Sequence, residues 1–200
     1  MAEHKNITGV NVHEPKGADT ALAGRVYISD GAGSGLWSEP PTIVTVQDVI
    51  TSFSTAASQS PTGLDTAMQV EFGVGGGYTG PIQVNPDGGI QVNTTGSYTV
   101  KTTFSIGRTG TSGVASLYLR RLINGFQIGK SVHFLVSSDE SYIPFVDSFT
   151  SILSQNTTLT YQLIRDSGEG GNYGGLFESV PTTTGWGTSP TASVTVSRFT

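Results

Sequence analysis

The chain has 200 residues, of which 36% are hydrophobic and 12% charged, with 27 glycines, no cysteine and a formal charge of −5. So few Lys and Arg on an acidic chain exclude a protein that grips phosphate backbones, and the missing cysteines exclude disulfides and thiolate metal sites. No run approaches the ~18 apolar residues of a membrane-spanning helix, and the start Met1-Ala2-Glu3-His4-Lys5-Asn6 has no apolar signal segment; the expectation is a soluble product made in the cytoplasm, with neither nucleic acid nor membrane as partner.

Residues 1–40 lack sustained strand patterning and read as an extended arm. Its landmarks are His13-Glu14-Pro15-Lys16-Gly17 and the glycine loop Asp30-Gly31-Ala32-Gly33-Ser34-Gly35. Gly24 to Ser29 fits one short strand, and Leu36-Trp37 supplies an apolar anchor after the loop. A loose terminus is one reading. The apolar side chains of Val10, Val12, Val26, Tyr27, Ile28 and Trp37 favour the other, an arm that docks on a partner.

Pro40-Pro41 closes the arm, because two prolines exclude helix and stiffen an extended step. Val46, Val49, Ile50, Phe53, Ala56 and Ala57 then recur at helical spacing, with Thr45 placed to cap, which predicts one short helix. Its apolar stripe either gathers identical chains around an axis or docks on the domain that follows. Ser58-Gln59-Ser60-Pro61-Thr62-Gly63 reads as a linker. The expected organisation is an arm over 1–40, helix and linker over 41–63, and a β domain over 64–200.

Within that domain Ala67 to Phe72 alternates until Gly75-Gly76-Gly77 breaks it. Ile82-Gln83-Val84 and Ile90-Gln91-Val92 flank the turn Asn85-Pro86-Asp87-Gly88-Gly89. Gly96 to Ile106 carries the cleanest two-residue alternation: Tyr98, Val100, Thr102, Phe104 and Ile106 on one face, Thr99, Lys101, Thr103 and Ser105 on the other. Val114 to Ile123 and Phe126 to Lys130 frame Asn124-Gly125, a two-residue hairpin turn that favours positive φ. His133 to Val136, Ile143 to Val146 and Phe149 to Leu153 read as further strands. Leu159, Tyr161 and Leu163 point inward on the next, Asp166 to Gly175 forms an exposed loop, and Ala192 to Val196 closes the chain. About eight to ten short strands at this spacing predict an all-β antiparallel sandwich or jelly roll.

Catalytic constellations are missing. Gly125-Phe126-Gln127-Ile128-Gly129-Lys130-Ser131 ends like a phosphate loop, but its first glycine is one residue too close and it sits in a hairpin. No Gly-x-Ser-x-Gly elbow occurs, and only His4, His13 and His133 could act as a base; His133 reads as a structural or interface residue. Asp139, Glu140 and Asp147 are carboxylates that only the fold could pair. Asp166-Ser167-Gly168-Glu169-Gly170-Gly171-Asn172 lacks the spacing of a calcium loop. No cofactor or metal is expected. Tyr173, Phe177 and Trp186 cluster around the glycine-rich region and suit either stacking on sugars or wedging into a neighbouring subunit.

The order Gly96-x-Tyr98, Leu117-x-Leu119 with Asn124-Gly125, Leu159-x-Tyr161-x-Leu163 and Ala192-x-Val194-x-Val196-x-x-Phe199 resembles the tumour-necrosis-factor and complement-globular-head jelly rolls over residues 67–200. It departs from them at Ser154-Gln155-Asn156. The resemblance implies ten strands and a homotrimer whose inner-sheet aromatics line the axis, with Tyr98, Phe104, Tyr118 and Tyr161 as the matching positions; the helix residues Val46, Val49, Ile50 and Phe53 would join them. Separately, Asn11-Val12-His13-Glu14-Pro15-Lys16-Gly17 and Gly24-x-Val26-Tyr27-Ile28-Ser29-Asp30-Gly31-Ala32-Gly33-Ser34-Gly35-x-Trp37 resemble N-terminal segments of structural proteins of short-tailed bacteriophages. That implies a decoration protein or head fibre on the virion surface, non-enzymatic, seated on the major capsid protein or another virion protein through Val12, His13, Glu14, Pro15, Lys16, Val26, Tyr27, Ile28 and Trp37. The alternative is a tail-fibre tip that recognises host surface glycans through Tyr173, Phe177 and Trp186.

Overall fold

The computed structural model describes residues 20–32, 35–40, 45–73, 80–110, 113–137, 142–169 and 173–199. Val12, His13, Glu14, Pro15 and Lys16 lie outside these, as do Asp139, Glu140 and the tip of the 166–175 loop. The chain divides into two units, Met1–Val44 and Thr45–Thr200.

In the first unit β1 (Val26–Ser29) and β2 (Gly35–Ser38) pair as an antiparallel ribbon. The strand expected over Gly24 to Ser29 is therefore present, and the anchor Leu36-Trp37 is its partner strand. Tyr27 and Trp37 face each other across the pair, edge to face, with ring centroids 5.4 Å apart.

The second unit is an antiparallel jelly-roll sandwich. One sheet runs β10 (Phe126–Val136), β9 (Ala115–Ile123), β12 (Thr157–Arg165), β7 (Ile90–Val92), β6 (Ile82–Val84), with β5 (Met68–Gln69) also on β12. The other is built on β8 (Gly96–Arg108), which pairs with β11 (Tyr142–Leu153) on one side and with β14 (Ala192–Phe199) and then β13 (Gly174–Phe177) on the other. Outside these lie β3 (Val46–Phe53) on β14 and β4 (Ser58–Gln59) on β13. Apart from the β6–β7 and β9–β10 hairpins, the connections from β7 to β12 cross from sheet to sheet, which is the wrapping of a jelly roll.

The alternation over Gly96 to Ile106 decides this packing. Tyr98, Val100, Thr102, Phe104 and Ile106 are each 0% exposed, and they meet Leu117, Leu119, Leu159, Tyr161 and Leu163 of the facing sheet. Burying these side chains contributes ~1.5–3 kcal/mol apiece, so one register of β8 is strongly favoured: a one-residue slip would turn all five outward. The hairpin turn is also as expected, with Asn124 at φ 50° and Gly125 at φ 82°, the left-handed pair that a two-residue loop requires. At Ser154-Gln155-Asn156 the chain turns with Asn156 at φ 65°, a conformation its short amide side chain tolerates.

Two strands are longer than the pattern implied. The return strand of the hairpin continues to Val136 because a bulge between Ile128 and Val132, with Gly129 at φ 75°, absorbs the interruption at Lys130-Ser131. Ile143 to Val146 and Phe149 to Leu153 are one strand, β11, at a sheet edge that tolerates Pro144. In contrast, Ala67 to Phe72 supplies only the two residues of β5, although Val70 and Phe72 are both fully buried.

The expected helix is overturned. Val46 to Phe53 is strand β3, paired with β14 from Phe53↔Ser193 to Val46↔Phe199. Helical spacing is met by chance: Val49 and Phe53 lie four apart, which also places them on one face of a strand. Thr45, Val46, Val49, Ile50 and Thr51 are β-branched, favouring strand, and the available edge of β14 settles the matter. Residues 58–63 are likewise no linker. Gln59 is buried, and its Nε2 lies 2.8 Å from the Glu71 carbonyl and 2.8 Å from Thr191 Oγ1, while its Oε1 accepts from the Glu71 N–H at 2.7 Å.

Candidate functional site

The outward face of the β11–β8–β14–β3 sheet is set by register. Phe53, Ser193, Thr103 and Val146 form one row across it; Thr51, Thr195, Lys101 and Ser148 the next; Val49, Ser197, Thr99 and Thr150 a third. Small hydroxylated side chains fill the middle, tied by Thr51 Oγ1 to Thr195 Oγ1 at 3.2 Å and by Thr99 Oγ1 to Thr150 Oγ1 at 2.8 Å. Apolar side chains stand at its margins, with Val49 58%, Phe53 60% and Ile152 78% exposed. Lys101 is the one charged residue in these rows.

This face corrects the expected axis residues. Tyr98, Phe104 and Tyr161 are 0, 0 and 1% exposed, so their rings are wholly occupied within their own subunit. Phe104 packs on Phe72, Phe145 and Tyr161 at centroid distances of 5.9, 6.1 and 5.1 Å. Ile50 is buried too, whereas Val46, Val49 and Phe53 are exposed, from a strand and not from a helix. Tyr118 belongs to the opposite sheet, where it stacks face to face on His133 at 4.3 Å. The large aromatics went inward because burial of their area outweighs any role at a surface. The polar face of β8 is what remains for a partner. Val146 and Ile152 escaped the sequence reading because Pro144 obscured the alternation of β11.

The N-terminal ribbon is apolar on both faces. Tyr27 and Trp37 occupy one; Val26, Ile28 and Leu36 occupy the other, with Ile28 51% and Leu36 76% exposed. A concavity of about 440 Å³ lined by Ile28, Asp30 and Leu36 lies along this second face.

Between the sheets sits a polar network. The Asp147 carboxylate accepts from Arg121 Nη1 at 2.9 Å and from the Tyr161 hydroxyl at 2.7 Å on the same oxygen, and the Arg121 guanidinium lies 3.9 Å from the Phe149 ring centroid. Burial, with the adjacent Asp147 carboxylate, pushes the Tyr161 phenol well above its ordinary range. Asp147 is thus engaged in holding the sandwich together. His133 Nε2 lies 2.9 Å from Ser116 Oγ, but Ser116 is fully buried, so its hydroxyl is closed to a substrate. The phosphate-loop-like run lies in the β9–β10 hairpin and strand β10. Among the described residues no cluster of three His, Asp or Glu side chains could hold a metal, and no helix is long and apolar enough to cross a membrane.

The predicted ligand loop is not gathered. Tyr173 packs over Gly110, with φ 67°, Phe177 ends β13, and Trp186 stands 76% exposed in a separate loop. Among the described residues no ring contact joins the three.

The strand pairings define the class, an all-β antiparallel jelly-roll sandwich. No family model matches the chain, and no curated protein matches its sequence. Among solved structures it is similar to murine APRIL, with 12% identity and a TM-score of 0.46 over 75% of this chain and 97% of that one. It is also similar to an Eiger TNF from S. frugiperda, with 13% identity and a TM-score of 0.43 over 75% and 90%. PRD1 vertex protein P5 is similar at 12% identity and a TM-score of 0.43, over 89% of this chain and 83% of that one.

Proposed function

We propose that the protein is a non-enzymatic bacteriophage virion component, a decoration protein or head fibre, that seats on the capsid through its N-terminal unit and projects a homotrimeric jelly roll. The observation that carries the docking role is the β1–β2 ribbon. A two-stranded hairpin is marginal in water by itself, and this one leaves Ile28 and Leu36 exposed on the face opposite the Tyr27–Trp37 pair. Such a ribbon gains its stability by laying that face on another protein. Val12 to Lys16, which precede it in the chain, extend the same contact on this reading.

The outward sheet face supports the trimer reading. Its rows of Ser and Thr, with apolar margins, a single Lys and the Thr51–Thr195 and Thr99–Thr150 pairs already hydrogen-bonded, cost less to desolvate than a face laced with Glu and Lys. Three linked arms then bind with avidity, so that each contact can be weak while the assembly stays in place.

The test is co-sedimentation of the purified protein with capsids that lack it. Ile28→Lys with Leu36→Lys, in the full-length chain, is expected to abolish binding while leaving the thermal unfolding of the jelly roll unchanged. Deleting residues 1–40 should do the same. Capsid binding that survives both changes refutes the assignment of the arm.

A further inference from the structure

Across the outer face of the β10–β9–β12 sheet runs a pocket of about 350 Å³, lined by Asp65, Tyr118, Arg120, Ser131, Gln162 and Ile164 among others. Its volume falls at the lower end of the ~300–1,000 Å³ typical of small-molecule sites. Two irregularities of the chain build its walls. On one side the bulge of β10 lifts Ser131 beside Arg120. On the other, the segment leading into β5 crosses the end of β12, fixed by the Leu64↔Arg165 bridge and by the Asp65 N–H donating to the Arg165 carbonyl at 2.7 Å.

The polar groups of this pocket are held in place before any ligand arrives. Arg120 donates from Nε and Nη2 to Gln162 Oε1 at 2.9 and 2.6 Å, which locks two planar groups together across the β9–β12 pair. Among the described residues neither Arg120 Nη1 nor Gln162 Nε2 has a further partner, so both remain available as donors. Asp65, at φ 54°, accepts from the Ser167 N–H at 3.0 Å, and the Ser167 side chain, together with that N–H, holds its carboxyl below the usual range. The Tyr118 ring is clamped by His133 on the β10 side, and it lines the pocket beside Ile164, its register neighbour on β12.

The geometry points to a saccharide site. A pyranose has an apolar face of C–H groups, which suits the Tyr118 ring and Ile164, and a rim of vicinal hydroxyls, which suits planar donors and acceptors fixed at its edge. Arg120 and Gln162 supply donors, Asp65 supplies an acceptor, and the Ser131 hydroxyl supplies either. Charge argues for a neutral ligand: the lining holds one cation and one anion, so a phosphate or carboxylate drawn to Arg120 would also face Asp65. An aliphatic ligand would strand the same polar groups without partners. This site stands apart from the Tyr173, Phe177 and Trp186 loops and does not depend on the capsid-docking reading.

Saturation-transfer difference NMR on the full chain tests it, with methyl α-glucoside, methyl β-galactoside and N-acetylglucosamine as probes. At least one is expected to give ring-proton signals with millimolar affinity. Arg120→Ala and Gln162→Ala should each weaken binding about tenfold, the loss of one good hydrogen bond to a ligand, with an unchanged circular dichroism spectrum. Should Arg120→Ala unfold, Gln162→Ala decides the matter alone. Trp186→Ala should bind like the parent. The proposal is overturned if no probe gives a signal, if the signal survives the pocket substitutions, or if Trp186→Ala removes it. Inorganic phosphate that broadens in an Arg120-dependent way while all three sugars stay silent would overturn it in favour of an anion site.

Discussion

Phe104 separates a core aromatic from an axis aromatic, and its truncation is the sharpest check on the sandwich. The side chain is 0% exposed, among Phe72, Phe145 and Tyr161 with centroids 5.1 to 6.1 Å away. Phe104→Ala removes the buried ring area and leaves a cavity that β8 cannot close, because its neighbours on the strand, Thr102 and Ile106, are themselves fully buried. Such truncations cost ~3–5 kcal/mol, and three lost aromatic contacts, each worth ~0.5–1.5 kcal/mol beyond area, place this one toward the upper end. For a domain stable by ~5–15 kcal/mol, that is a third or more of the total. Urea unfolding at fixed protomer concentration should show a lower midpoint with an unchanged slope, since the surface exposed on unfolding is nearly the same. Sedimentation velocity on the same samples should show the association state of the parent wherever the protein is folded. A loss under ~1 kcal/mol, or dissociation into subunits of parental stability, would place the ring between subunits and refute the packing.

Three other outcomes are expected. Gln59→Leu leaves the Glu71 N–H and carbonyl without their side-chain partner and should lower stability by ~1–3 kcal/mol; an unchanged urea midpoint would return residues 58–63 to a linker. The Tyr161 phenol is raised in the folded state, so the stability it contributes is fully present below the ordinary tyrosine value of 10.0 and is lost as pH rises above it. Unfolding midpoints measured from neutral pH upward should therefore fall on the alkaline side, and Tyr161→Phe should flatten that fall while weakening the protein at neutral pH through loss of the Asp147 bond. Val49→Arg, on the outward sheet face, should change stability by no more than ~0.5 kcal/mol yet dissociate the proposed trimer in sedimentation velocity.

Much of the sandwich is legible because a strand with one wet face writes its orientation into every second residue. β8, β9 and β12 each do so, and Asn124-Gly125 fixes the hairpin between β9 and β10 by backbone chemistry alone. β3 is not legible this way. Val49 and Phe53 satisfy both a helical and a strand period, and only the edge of β14, some 140 residues later in the chain, chooses between them. The buried role of Gln59 was hidden for the same reason, since its partners Glu71 and Thr191 are distant in sequence. Assigning Tyr98, Phe104 and Tyr161 to an axis failed on energetics: alternation shows which residues share a face, and the more apolar face goes to the subunit's own core first. The pocket around Arg120 could not be read at all, because Asp65, Tyr118, Ser131 and Gln162 meet only through the register of separate strands.

The edges of the two sheets bear on how copies would meet. An exposed strand edge invites uncontrolled pairing, and proteins blunt such edges with bulges, prolines, charges or shortness. Here β10 has its bulge with Lys130 beside it, β11 carries Pro144, and β6 has only three residues. β3 has such devices only at its start, where the register breaks at Gln47 beside the charged Asp48; from Val49 to Phe53 it has none, and Val49 and Phe53 are exposed there. An edge left open from Val49 to Phe53 beside the Ser and Thr face is costly for a free monomer, and the cost disappears if a second copy covers both. The proposed trimer contact accordingly centres on β3 and the adjoining rows of β14 and β8, so a charge introduced at Val49 should separate subunits while one introduced at Leu135, on the guarded strand β10, should not.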